Sequence, residues 1–135
     1  MLKILLMKDD RILCQIPLMP KDWSGEDFES EMESFFEKFD RYSMLTEALS
    51  NQNRLRMLRY LMDEEDSAHS FSDLLRELGM NPKILREHAV KLEEAGYVEC
   101  ISRGKYRLSR KGGILFTTTG LALMRILEAL EGEEI

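Results

Sequence analysis

Cysteine, histidine and proline are all scarce in this chain of 135 residues. Two cysteines, Cys14 and Cys100, cannot staple a disulfide scaffold, and no C-x-x-C pair offers a structural zinc site. Both thiols are expected to be buried and inert rather than a redox switch. The two histidines, His69 and His88, have no nucleophile or carboxylate placed beside them by sequence spacing. No catalytic residues, metal or cofactor are therefore expected, and the chain does not read as an enzyme. His69 is expected in a loop, and His88 is expected to hydrogen-bond within its own folding unit.

Long hydrophobic runs are missing too. The longest uncharged stretch, Gly112 to Met124, is short for a bilayer and holds three threonines. The apolar start Met1–Met7 meets Lys8-Asp9-Asp10-Arg11 too soon for a secretory signal. A cytoplasmic protein with no membrane partner is expected. An excess of positive charge is also absent: 19 basic against 25 acidic side chains give −6, which excludes a binder that is basic all over.

What the chain has is 44% hydrophobic residues, enough for a real core, and an uneven charge. Met1–Met80 carries ten basic and seventeen acidic side chains, a balance of −7. Asn81–Lys111 carries eight and four, a balance of +4, and Gly112–Ile135 one and four, a balance of −3. A positive island between acidic flanks suggests a local anion-binding face.

The pattern of elements gives that island a setting. Lys3–Met7 and Arg11–Ile16 read as a β-hairpin around Asp9-Asp10, closed by Pro17 and Pro20. Ser24 is a candidate N-cap for one helix from about Glu26 to Leu49, with a possible break near Ser43. Ser50-Asn51 caps a helix through Leu55, Leu58, Leu61 and Met62, and the acidic run Asp63–Asp66 reads as a solvated loop. On that helix, Arg54, Arg56 and Arg59 are expected as surface charges or partners of nearby acids. Ser70 with Asp73 forms a capping box, Gly79 suits a left-handed cap, and Asn81-Pro82 starts another helix at once. After Gly96, Val98–Ser102 and Tyr106–Ser109 alternate around the basic tip Arg103-Gly104-Lys105. Ser109 can cap a last apolar helix, whose start and continuity Gly112-Gly113 and Gly120 leave open.

Helix, helix, turn, helix, basic hairpin, helix is the order of a winged helix-turn-helix: mostly α within an α+β class. Leu49-Ser-Asn-Gln-Asn-Arg-Leu-Arg-Met-Leu58 resembles the opening signature of the arsenic-repressor-like (ArsR) family of bacterial and archaeal transcription regulators. The segment from Pro82 to Val98 resembles the family's recognition helix and its turn into the wing, and Tyr106–Gly112 the second wing strand. The resemblance spans about Leu45 to Leu130. It divides the chain into an arm of residues 1–43, for dimerisation or bracing, and a winged domain of residues 44–131. It does not imply metal sensing, because the Asp73–Leu78 helix has no cysteine and the last helix no histidine. Lys83 and Arg86 stand where family members often have small hydroxyl residues, so no base preference carries over.

The resemblance implies a DNA-binding transcription regulator with double-stranded DNA as partner. Helix 81–95 would enter the major groove, and the wing 98–109 would lie on backbone or minor groove. With Leu85, Ala89 and Leu92 turned inward, Lys83, Ile84, Arg86, Glu87, Val90 and Lys91 face outward. Ser70 and Asn81, at helix starts, could receive phosphates, and Arg103, Lys105 and Arg107 would supply the wing's contacts. One recognition helix reads few base pairs, so a homodimer is expected. Its interface would use Phe28, Met32, Phe35, Phe36 and Phe39 on the arm and Leu123, Leu127 and Leu130 on the last helix. The competing reading is a winged-helix module that docks on protein and does not bind DNA. Nothing in the sequence names an operator or a small-molecule effector.

Overall fold

The computed structural model describes residues 1–63 and 68–133, and its chain divides into two units, residues 1–40 and residues 41–134. The acidic residues Glu64–Asp66, expected as a solvated loop, lie outside the described residues.

The first unit opens with the expected hairpin, β1 (Lys3–Lys8) antiparallel to β2 (Arg11–Pro17). Asp9 takes the left-handed conformation (φ 55°) that the tight turn demands, a conformation aspartate tolerates better than most residues. The register shifts between Leu6 and Met7. The Trp23 indole N–H donates to the Pro17 carbonyl at 3.0 Å, and its ring meets Phe28 edge to face. Ser24 caps α1 (Gly25–Glu37) by accepting from the Asp27 N–H, and Glu26 and Asp27 sit in the positive first turn. The break in the expected long helix falls at Lys38, not near Ser43: α2 runs Phe39–Ala48. The Lys38 N–H is shared among the Ser34, Phe35 and Phe36 carbonyls, which tightens the last turn of α1. No residue from 1 to 40 is buried.

The second unit holds the core. Asn51 caps α3 (Gln52–Asp63), accepting from the Asn53 and Arg54 N–H groups. The capping box closes as expected around α4 (Phe71–Leu78), and Gly79 ends it at φ 64°. Asn81 caps α5 (Pro82–Glu94), with proline in the first turn where a missing N–H costs nothing. Met57, Leu58 and Leu61 of α3, Leu74 and Leu78 of α4, and Leu85, Ala89 and Leu92 of α5 form one buried cluster with Tyr97, Val98 and Leu108.

The wing pairs β4 (Val98–Ser102) with β5 (Lys105–Leu108) around Arg103-Gly104, where Gly104 supplies φ 73°. A third strand, β3 (His69–Ser70), pairs with β5 at Tyr106 and Lys105. His69 is therefore in a strand and buried, not in a loop, and its ring lies 4.9 Å from that of Tyr60. Ser109 caps α6 (Arg110–Phe116), which continues through a π-helical turn (Thr117–Ala122) into α7 (Leu123–Glu131). Gly112 is required there, since a Cβ would stand 2.1 Å from the Tyr97 carbonyl oxygen.

The last helix is thus continuous across Gly112-Gly113 and Gly120. Arg110–Glu131 spans 22 residues and contains an 18-residue window of mean hydropathy 1.4, long and apolar enough to cross a membrane by length and composition alone. The uncharged run within it is shorter, but the helix is not.

Candidate nucleic-acid interface

The helix-turn-helix places α5 with one side in the core and one outside. Leu85, Ala89 and Leu92 are buried, while Lys83, Ile84, Arg86, Glu87, Val90 and Lys91 are exposed, as helical spacing requires. Asn81 holds the first turn, its side chain accepting from the Lys83 N–H at 2.8 Å.

The two flanks of α5 differ. On one, the Arg86 guanidinium lies 5.1 Å from the centre of the Phe71 ring, at the start of α4. The Phe71 N–H donates to the Gly104 carbonyl at the wing tip (2.8 Å). Ser70, the cap of α4, pairs in register with Lys105. Phe71 therefore brings Ser70, Arg86 and the Arg103–Lys105 tip to one neighbourhood. Among the described residues, Lys83, Arg103 and Lys105 show no side-chain ion pair. All three are exposed.

Two expected contacts are engaged by the protein's own carboxylates. Lys91 Nζ lies 3.2 Å from Glu47 Oε1 on α2, and Arg107 donates twice to Glu99 across the wing (2.9 and 3.2 Å). Both pairs are exposed, and such pairs contribute about 0–1 kcal/mol, so phosphate could displace either carboxylate. Ser70 holds the Asp73 carboxyl below its usual range, through hydrogen bonds from its side chain and backbone, with Arg76 adding to the effect.

Arg54 departs from expectation. It is 6% exposed rather than a surface charge. Its Nε donates to the Ala48 carbonyl (2.7 Å), Nη2 to the Glu47 carbonyl (3.0 Å), and Nη1 approaches His88 Nδ1 on α5 at 3.2 Å. A guanidinium only donates, so Nδ1 accepts and His88 is neutral. Burial, and next the Arg54 and Lys91 charges, push the His88 pKa down against the opposing pull of Glu87. The signal was present in the sequence: residues 54, 57, 58 and 61 share one helical face, and the last three are the core leucines and methionine of α3.

The thiols also differ from expectation, for both Cys14 and Cys100 are exposed. Each lies on a strand of a small sheet too thin to cover both its faces. On the expected dimer surface, Phe28 and Met32 are half-buried, whereas Phe35, Phe36, Phe39, Leu123, Leu127 and Leu130 are exposed. Two open apolar grooves flank the π turn, of about 420 and 550 Å³. Met62 lines both. Among the described residues, no group of three or more His, Cys, Asp or Glu could hold a metal ion.

Comparison with known proteins adds a family match over part of the chain and a likeness of fold. Residues 51–99 match the family described as "Bacterial regulatory protein, arsR family". No curated protein sequence matches the chain. Among solved structures, an ArsR family transcriptional regulator is similar at 19% identity and a TM-score of 0.50, covering 68% of this chain and 92% of that one. Reduced HlyU from Vibrio cholerae N16961 is similar at 24% identity and a TM-score of 0.50, covering 67% and 95%. At these identities the likeness is one of fold, and the fold is a winged helix-turn-helix.

Proposed function

We propose, from the premise that residues 51–99 form an ArsR-family helix-turn-helix segment, that the protein is a DNA-binding transcription regulator. In this reading α5 enters the major groove, with Lys83, Ile84, Arg86 and Glu87 at base edges. The wing lies on the backbone or minor groove through Arg103, Lys105 and Arg107, and the N–H groups capped by Ser70 and Asn81 approach phosphates. Lys91 acts at the rim, in exchange with Glu47. The observation that carries the reading is the convergence on Phe71 of Arg86 from the recognition helix and Gly104 from the wing tip. It unites the positive island of the sequence into one surface.

The regulator works as a homodimer in the cytoplasm and has no catalytic role. Residues 1–43 serve as the dimerisation or bracing arm and residues 44–131 as the winged domain. Supporting the dimer are the exposed Phe35, Phe36 and Phe39 on the arm and the exposed stripe Leu123, Leu127 and Leu130 on α7, at spacings of four and three.

Selection of genomic fragments on the purified protein, followed by footprinting across a salt series, tests the function. A protected near-palindrome, with affinity falling steeply in salt, is the expected result. Absent or salt-insensitive binding would favour a winged-helix module that docks on protein instead. Sedimentation at micromolar concentration tests the dimer, and a monomer there would remove it from the reading.

A further inference from the structure

The C-terminal end of α2 is tied to the recognition helix and its exit at three places. Arg54 holds the Glu47 and Ala48 carbonyls and reaches His88 Nδ1 at 3.2 Å. The Glu47 carboxylate lies 3.2 Å from Lys91 Nζ. The buried Tyr97, just beyond α5, donates its hydroxyl proton to the Leu45 carbonyl at 2.8 Å. His88 and Lys91 are one turn apart, so these ties grip one flank of α5 while Phe71 meets Arg86 on the other.

We propose that Arg54 is a positioning residue which, through neutral His88, fixes the recognition helix against α2, and that protonation of His88 releases this latch. The proposal rests on the DNA-binding reading for its consequence, though not for its geometry. Arg54 cannot leave its place cheaply, because its guanidinium satisfies the orphan carbonyls at the end of α2. It has no lone pair to offer, so it requires an acceptor at His88 Nδ1. A proton on Nδ1 removes that acceptor and sets two cations face to face. The charged groups around His88 are Arg54 from α3, Glu87 and Lys91 from α5, and Glu47 from α2 through its pair with Lys91. Glu87 alone favours the proton directly; Arg54 and Lys91 oppose it. The latch is therefore closed at neutral pH and opens below the ordinary histidine range.

The direct test is a pH titration of the 15N-labelled full chain by NMR, without DNA. At neutral pH, His88 is expected with Nδ1 unprotonated and the proton on Nε2. As pH falls, the amides of Glu47 and Ala48 should shift together with those of α5, at a single midpoint below about 6.5. In H88Q, whose amide does not titrate, this joint transition should vanish. A protonated Nδ1 at neutral pH, or the same joint transition persisting in H88Q, would overturn the latch.

A second arm measures affinity for a duplex enriched from random-sequence DNA. Relative to H88Q, the native protein should lose affinity through the same transition by up to about tenfold per pH unit, the limit for one proton. Identical affinity profiles would overturn the functional consequence. If no duplex is enriched at all while the NMR transition stands, the DNA-binding reading has failed and the latch has not.

Discussion

The two units of this chain have similar appetites for burial and opposite outcomes. From Ala48 to Leu108 the second unit closes thirteen hydrophobic residues into a core, with Leu58, Leu74, Leu85 and Leu92 wholly inaccessible. The first unit presents Ile4, Leu5, Leu6, Met7, Ile12, Leu13 and Ile16 along its hairpin and buries none of them. The difference lies in layers. Three helices can wrap a common axis, whereas a two-stranded ribbon has two faces and no second layer, and such a ribbon is marginal alone. The contrast teaches that the winged unit contains the means of its own stability, and that the hairpin's apolar side chains are surface available to a partner.

The largest expected effect falls in the core. Leu58→Ala should cost about 2–5 kcal/mol in chemical denaturation, because it empties a fully enclosed site. A loss below about 1 kcal/mol would mean that the winged unit is not the stable one. Next is Gly112→Ala, whose new Cβ must displace the Tyr97 backbone and should cost about 1–3 kcal/mol or more. An unchanged midpoint would show that the close approach is relaxed in solution.

Acidification should then separate the units. The His88 pKa is lowered on folding, so the unfolded chain binds that proton more readily. Its contribution to stability is full above the unfolded value, about 6.5, and is lost as pH falls from there through the folded value. H88Q should lack this part of the acid destabilisation, and equal profiles for the two proteins would contradict the assignment. The smallest effect is expected for Leu6→Ala in the hairpin, about 0.5 kcal/mol or less for an exposed substitution in a dilute sample. A larger loss that grows with protein concentration would mark this surface as part of the dimer contact.

Much of the winged unit was legible because its punctuation is local. Ser70 with Asp73, Gly79, Asn81-Pro82 and Ser109 each act within four residues of themselves, and each cap closed as its chemistry requires. Position along the charge pattern also marked Lys83, Arg86, Arg103 and Lys105, which the structure leaves exposed. What escaped depends on partners far along the chain. Arg54 meets His88 across 34 positions, and a charged side chain on an inward face is read as surface unless its acceptors are known. Phe71, which joins Arg86 to the wing tip, looked like an ordinary first-turn residue. The strand His69–Ser70 is too short to show alternation, and its pairing with β5 is a tertiary fact. The break at Lys38 has no proline or glycine to announce it.

The most direct test of the central claim is the salt dependence of binding to a selected genomic fragment, for the native chain and for K83A, R86A and R103A. Each replacement that removes a phosphate contact should flatten the log–log slope by about one, and R86A should also relax the choice of base at one position if it reaches a guanine edge. Slopes unchanged in all three variants, with affinity intact, would contradict the account, for the ridge around Phe71 would then not be where this protein meets DNA.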